Sequence, residues 1–325
     1  LYLYSVMNTY FLILVVLLLT FLVLRKTREN FKIIDNKTTI VVYNSFNNES
    51  KNNFGDAVNN IFWNKITNKN INYKSIKNNN YYKNIHFITT GSIMHLLNNK
   101  SIILGTGCIS DDIKYIPKYK PIVVISVRGP LTRNVLLNNG INCPEIYGDP
   151  LIMMPCIYDK YKSIKDNVIG IIPHYKDKNN KLINILKKNL ENNNLTVKII
   201  DINIGSNYKK LIDEINNCKY IISSSLHGII MGVVYNKKTI FLEFSNKVIG
   251  NKFKFYDFFK SLDINYSYRY SINIDILNNY IKFDYKNLFN NTINLINVIP
   301  FISKTRKIQL FNVYNKFYKN ISFNI

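Results

Sequence analysis

KYIISSSLHGIIMGVVYNKKTIFLEF, from Lys219 to Phe244, decides the fold class. It reads as a short apolar strand (KYIISS, Lys219 to Ser224), an apolar helix (LHGIIMGVVY, Leu226 to Tyr235) and a second strand (KTIFLEF, Lys238 to Phe244). Strands with no polar alternation are buried on both faces, as in parallel sheets covered by helices. Upstream the same rhythm holds. NVIGIIP (Asn167 to Pro173) and LTVKIID (Leu195 to Asp201) are strands, while KLINILKKNLENN (Lys181 to Asn193) and YKKLIDEINNC (Tyr208 to Cys218) are amphipathic helices.

An earlier series repeats the pattern. TTIVVY (Thr38 to Tyr43), HFITT (His86 to Thr90), SIILG (Ser101 to Gly105) and PIVVISV (Pro121 to Val127) are strands. DAVNNIFWNKI (Asp56 to Ile66) is a helix, and so is GPLTRNVLLNNG (Gly129 to Gly140), with proline at its start and glycine past its end. Alternating strands and helices in two series predict an α/β protein of two Rossmann-like doubly wound domains facing across a cleft. The expected boundaries are 38–160 and 161–265, followed by a helical region, 266–325, broken at Pro300.

The first 24 residues carry no charge, and YFLILVVLLLTFLVL (Tyr10 to Leu24) is almost wholly apolar. About 20 apolar residues span a bilayer, so residues 1–26 are expected to be a transmembrane anchor, with 27–37 as linker. A cleaved signal peptide would want a shorter core and a small-residue cleavage site. The expected localisation is a single-pass membrane protein of a secretory-pathway or Golgi-type membrane. The RKTR flank by itself indicates the alternative, a cytoplasm-facing folded part.

The 325 residues are 47% hydrophobic, enough for a sizeable core, and carry a formal net charge of +23. The lysines are scattered through loops such as Asn64 to Asn84, together with inflated Asn, Ile and Tyr, rather than gathered on one face. No nucleic-acid partner is expected from that pattern. Cys108, Cys143, Cys156 and Cys218 have no metal-ligand spacing, so no metal is expected and buried thiols are the simplest reading.

Ligands of such sheets bind beyond the carboxyl ends of the strands, where helix N-termini point outward. Five stretches fall there. In NNFGDAV, Gly55 permits a tight turn and Asp56 is either a helix cap or a functional carboxylate. In TTGSIMH, Gly91 and Ser92 offer donors to an anion, and His95, one turn into the following helix, either packs on the sheet or touches ligand. In SVRGPLT, Arg128 ends an apolar strand, suited to grip a phosphate or carboxylate or else to pair structurally with Asp149 of YGDP. IIPHYKD places His174 at another strand end. ISSSLHG adds His227, with Ser225 and its neighbours to cap the helix and Gly228 to allow close approach. Two histidines and an arginine around one cleft point to an anion bound with acid–base help.

In order, NFGDAV, TTGSIMH with LGTG, SVRGPLT, YGDP, IGIIPHYKD, ISSSLHG and KFKFYDFF (Lys252 to Phe259) resemble the polysaccharide pyruvyl transferase family. The resemblance runs from about Thr39 to Leu262. It implies a GT-B-like arrangement, with the first domain on the acceptor side and the second on the donor side. It also implies a reaction that moves pyruvate from phosphoenolpyruvate onto a glycan, forming a ketal and releasing phosphate, with no cofactor besides that donor. Arg128, His227 and the backbone of Leu226 match positions that contact phosphoenolpyruvate in the family, and His95 matches a histidine used in some members. The family's glycine-rich GGGFK stretch is replaced here by Ile249, Gly250 and Asn251. On chemistry, His227 is the expected proton donor, Arg128 the neutralising cation and Asp56 the group that orients or deprotonates a sugar hydroxyl. Two other functions are compatible with the sequence. One is a nucleotide-sugar glycosyltransferase using Glu243; the other is a membrane-anchored glycan-binding protein without catalysis.

Overall fold

Short β-branched runs build two all-parallel sheets, as the patterning predicts. The computed structural model describes residues 39–42, 52–75, 83–161 and 167–322. The first sheet contains β1 (Thr39–Val42), β2 (Asn72–Ser75), β3 (His86–Ile88), β4 (Ser101–Leu104) and β5 (Val123–Ser126), in the order β2-β1-β3-β4-β5. The second contains β6 (Val168–Ile172), β7 (Thr196–Ile199), β8 (Tyr220–Ser223) and β9 (Lys238–Phe241), in the order β7-β6-β8-β9. In each sheet the strand order reverses once, between β1 and β3 and between β6 and β8. Such a reversal opens a crevice at the carboxyl ends of the two strands.

The helices are α1 (Phe54–Ala57), α2 (Asn59–Thr67), α3 (Pro130–Asn138), α4 (Lys181–Glu191), α5 (Tyr208–Asn216), α6 (Leu226–Val234), α7 (Phe253–Ser261), α8 (Tyr285–Val298) and α9 (Lys304–Ser322). Helix α6 is buried along its whole length, as its all-apolar sequence requires. In contrast, α4 buries only Ile183, Leu186 and Leu190, the i, i+3, i+7 stripe of a surface helix. One cluster around Ile88, Ile103, Val127 and Leu136 forms the core beside the first sheet, and another around Ile169, Leu186, Ile222 and Leu242 beside the second.

Two expectations need correction. The helix predicted from Asp56 starts at Phe54 and breaks at Val58. Its start moves because Phe54 N–H is drawn to Ile202 O at 3.0 Å, in the loop after β7. Strand β2, NYKS, lies in a segment read as loop. Being an edge strand with little burial, it carries no apolar alternation to announce it.

The described residues form one compact unit. The C-terminal helices, separated around Pro300 as expected, brace it. Phe301 packs edge-on to Trp63 and Phe87 at ring centroid distances of 5.5 and 4.8 Å. Arg306 donates to Ile66 O at 2.8 Å, while Phe317 packs on Tyr235 after α6. All four cysteines are buried and free. The anchor expected over residues 1–26 lies outside the described residues, and among those described no helix is long and apolar enough to cross a membrane.

Candidate active site

The carboxyl ends at both strand-order reversals open on one pocket of about 310 Å³. From the first sheet come Asn53 and Asp56 of the β1–α1 connection, and Gly91, Ser92 and His95 after β3. From the second come His174 and Tyr175 after β6, then Ser225, Leu226 and His227 after β8. Ile249 and Lys254 close the rim. Seven of the residues expected to bind substrate, together with Asp56, therefore share one cavity.

His227 is seated by glycine. The ring lies so close to α1 that a Cβ on Gly55 would fall 1.8 Å from Nδ1 and 2.0 Å from Cε1. The need for glycine at 55 is thus close approach, not the tight turn that the sequence implied. On the other side, Nε2 stands 3.8 Å from Asp149 Oδ2, and neither atom has a hydrogen-bond partner. Gly228 does not line the pocket. A Cβ there would meet Ser223 Oγ at 2.4 Å, so it lets α6 close on β8.

The serines act differently from expectation as well. Ser225 occupies the N-cap of α6 but makes no side-chain cap. Ser223 Oγ donates to Ile172 O at 2.7 Å, and Ser224 Oγ donates to Asp177 Oδ2 at 2.7 Å. The N–H groups at the start of α6 are left uncapped by any side chain, an arrangement that favours an anion.

Arg128 requires the largest correction. Read as a cleft-edge cation facing His227, it is fully buried and absent from the pocket wall. Its Nε pairs with Asp257 Oδ2 at 3.0 Å, one terminal nitrogen donates to Ser92 Oγ at 2.6 Å and the other to Cys108 O at 2.6 Å. A buried guanidinium must be paired, and the partner is Asp257 of α7, not Asp149. Asp257 also accepts from Thr132 N and Oγ. Because Ser92 accepts from Arg128, its own hydroxyl proton is free to donate into the pocket.

The cation that does reach the pocket is Lys254, which sequence reading passed over. Burial first, then the nearby charges of Arg128 and Lys176, push its ammonium down to about 8. Burial, with Lys254, Lys176 and His227 nearby, pushes His174 down to about 2, so its ring is neutral at any working pH. His174 Nδ1 accepts from Lys176 N–H at 3.2 Å, which leaves Nε2 to carry the proton and donate. Burial lowers His95 too. It sits on a 3-10 turn, Met94–Leu96, rather than inside a longer helix, with its ring edge-on to Tyr115. Burial raises Asp56 above the usual carboxylate range, against the opposing hydrogen bond from Asn53 and the charges of His227 and Lys254. Glu243, the ribose-binding candidate of the glycosyltransferase reading, pairs with Lys252 at 2.8 Å and does not line the pocket.

A neutral donor histidine, a second histidine, an ammonium and a carboxylate of raised basicity can hold a small anion beside acid–base groups. The chain belongs to the polysaccharide pyruvyl transferase family, which it matches over residues 21–246. That span holds Asp56, His95, Arg128, His174 and His227 and ends before Lys254. It is also similar to an uncharacterized protein of Acanthamoeba polyphaga mimivirus, 30% identical over 209 residues, which are 63% of this chain and 69% of that protein. No solved structure matches it significantly. Family membership makes the chain a transferase of glycan pyruvylation in general terms.

Proposed function

We propose that this protein transfers pyruvate from phosphoenolpyruvate to two hydroxyls of a glycan sugar, forming a cyclic ketal and releasing phosphate. The observation that carries the reading is the meeting of Lys254, His227 and Asp56 in one pocket at both strand-order reversals. The donor carries a phosphate and a carboxylate. Lys254, the Ser92 hydroxyl, His174 and the start of α6 supply a cation and donors for those charges. Arg128 contributes its charge from behind Ser92 rather than by contact.

His227 protonates the methylene carbon of the donor, which becomes the methyl group, and the positive charge appears on the adjacent carbon. The first sugar hydroxyl attacks that carbon while Asp56, its basicity raised by burial, takes the hydroxyl proton. The bond from carbon to phosphate oxygen then breaks, and the second hydroxyl closes the ketal. Of the two hydroxyl protons, one replaces the proton given to the methyl group and the other leaves with phosphate. No step calls for a metal or a further cofactor.

The test is incubation of the purified protein with phosphoenolpyruvate and galactose- or N-acetylhexosamine-terminated acceptors, measuring released phosphate and the ketal methyl signal by NMR. Absence of both across the panel sinks the reading. His227→Ala is expected to abolish turnover, and full activity in that variant removes His227 from the mechanism. In the same reading the apolar segment Leu1 to Leu24 tethers the enzyme to a secretory-pathway membrane, to be checked by carbonate extraction of membrane fractions.

A further inference from the structure

Beside the pocket runs a second groove of about 550 Å³, lined by Tyr175, Lys176, Lys178, Asn179, Asn180 and Lys247. Tyr175 lines both cavities, so the groove continues the pocket outward. It is walled by the turn after β6, the start of α4 and the loop after β9. Two features give it unbalanced positive charge. Lys178 pairs with Asp201 at 3.0 Å, whereas among the described residues neither Lys176 nor Lys247 makes an ion pair. Asp177 lies on the same turn yet is turned inward and buried, its carboxylate taken by Ser224 Oγ at 2.7 Å and by Ser245 Oγ. The wall is also fixed. Asn180 donates to Phe244 O at 2.6 Å and accepts from Leu182 N at 2.9 Å, which pins α4 to the end of the second sheet.

We infer that this groove is an acceptor subsite for an anionic glycan, one bearing a phosphate, sulfate or carboxylate group on a sugar next to the one that is pyruvylated. The inference rests on the pyruvyl-transfer reading of the adjoining pocket. A sugar whose hydroxyls meet Asp56 and His227 projects its neighbour past Tyr175, where Lys176 and Lys247 meet the anionic group. Half-buried Lys176 and exposed Lys247 act through water, and such charges are worth little singly, so two together give a preference of about tenfold that weakens with salt.

The experiment compares a disaccharide acceptor with and without a phosphomonoester on its second sugar. Wild-type protein is expected to favour the phosphorylated form about tenfold in kcat/KM, and Lys176→Gln with Lys247→Gln to bring that ratio close to one. Equal use of both forms by the wild type, or a preference that survives the double substitution, overturns the inference. Should neither form turn over, the transfer reading has failed, and calorimetric titration with the same two sugars still decides the subsite by the same ratio. Loss of affinity for anionic phospholipid vesicles in the double variant, with phosphorylated-sugar binding intact, also overturns it and makes the groove a membrane face.

Discussion

Gly55→Ala tests whether the seat of His227 is what sets the chemistry. The added Cβ would stand 1.8 Å from Nδ1 and 2.0 Å from Cε1, against an ordinary contact of roughly 3.5 Å. The ring must retreat by roughly 1.5 Å, or α1 must move away by as much. Either movement also changes the 3.8 Å separation between Nε2 and Asp149 Oδ2, two atoms that have no hydrogen-bond partner now. Overpacking of this kind costs about 1–3 kcal/mol, and alanine in place of glycine in a helical turn returns up to about 1 kcal/mol. The net loss is then about 0–3 kcal/mol, a Tm shift of a few degrees. Activity is another matter, because a misplacement of about 1 Å costs on the order of a hundredfold. Phosphoenolpyruvate-dependent phosphate release is therefore expected to fall about a hundredfold in a protein that is still folded and whose Tm has moved by only a few degrees. Wild-type turnover in Gly55→Ala would refute the proposed placement of His227 as acid.

Lys254 is charged below its depressed value of about 8 and neutral above it, so KM for phosphoenolpyruvate should stay flat to that pH and rise beyond it. Lys254→Met should raise that KM and erase the inflection; a flat wild-type profile up to pH 10 would contradict its role. Asp257→Ala leaves Arg128 buried without its counter-charge, with an expected cost of about 3–5 kcal/mol and a Tm loss of roughly 10 °C by calorimetry. Arg128→Met with Asp257→Leu should regain only part of that stability, because buried Thr132 loses its acceptor, while activity stays low. Glu243→Gln should leave donor turnover within about twofold, since that carboxylate pairs with Lys252 outside the pocket. A large loss of turnover would revive a direct role for Glu243.

Most of the architecture was legible because short strands rich in apolar residues alternate with helices, and eight of the nine described strands stand out that way, including β7, an edge strand that buries only Val197. The exception, β2, is an edge strand whose residues are at most half-buried. The site was legible as a set of strand ends, since glycine, serine and histidine interrupt apolar runs where chain must turn toward ligand. Contacts between distant segments left no such trace. Arg128 and Asp257 are 129 residues apart, so the ion pair that removes Arg128 from the pocket could not be read from either neighbourhood. Lys254 had a different disguise, lying among Lys252, Phe253 and Phe255 as one more lysine in a lysine-rich chain. Its signal is spacing on α7, and that spacing gains meaning only once Asp257 has been placed.

Lys254 and Asp257 stand three residues apart, on neighbouring positions of one helical face. Asp257 binds Arg128 and both the N–H and hydroxyl of Thr132, which ties α7 to the start of α3 and to the end of β5. Arg128 in turn holds Ser92 at the pocket wall. Docking of α7 thus delivers the pocket's ammonium and fixes its serine in a single event. Burial first, and then repulsion from the neighbouring Arg128 guanidinium, depress Lys254, with Asp56 and Glu243 offsetting part of that effect. The Asp257 carboxylate, fully buried, anchors the helix against that repulsion. Substitutions at Asp257 and Lys254 should therefore not add. Once Asp257→Ala has released α7, Lys254→Met has little left to remove, and a double variant no worse than Asp257→Ala alone is the expected outcome of the cycle. Full additivity of the two losses in kcat/KM would mean that Lys254 reaches the donor without the anchor.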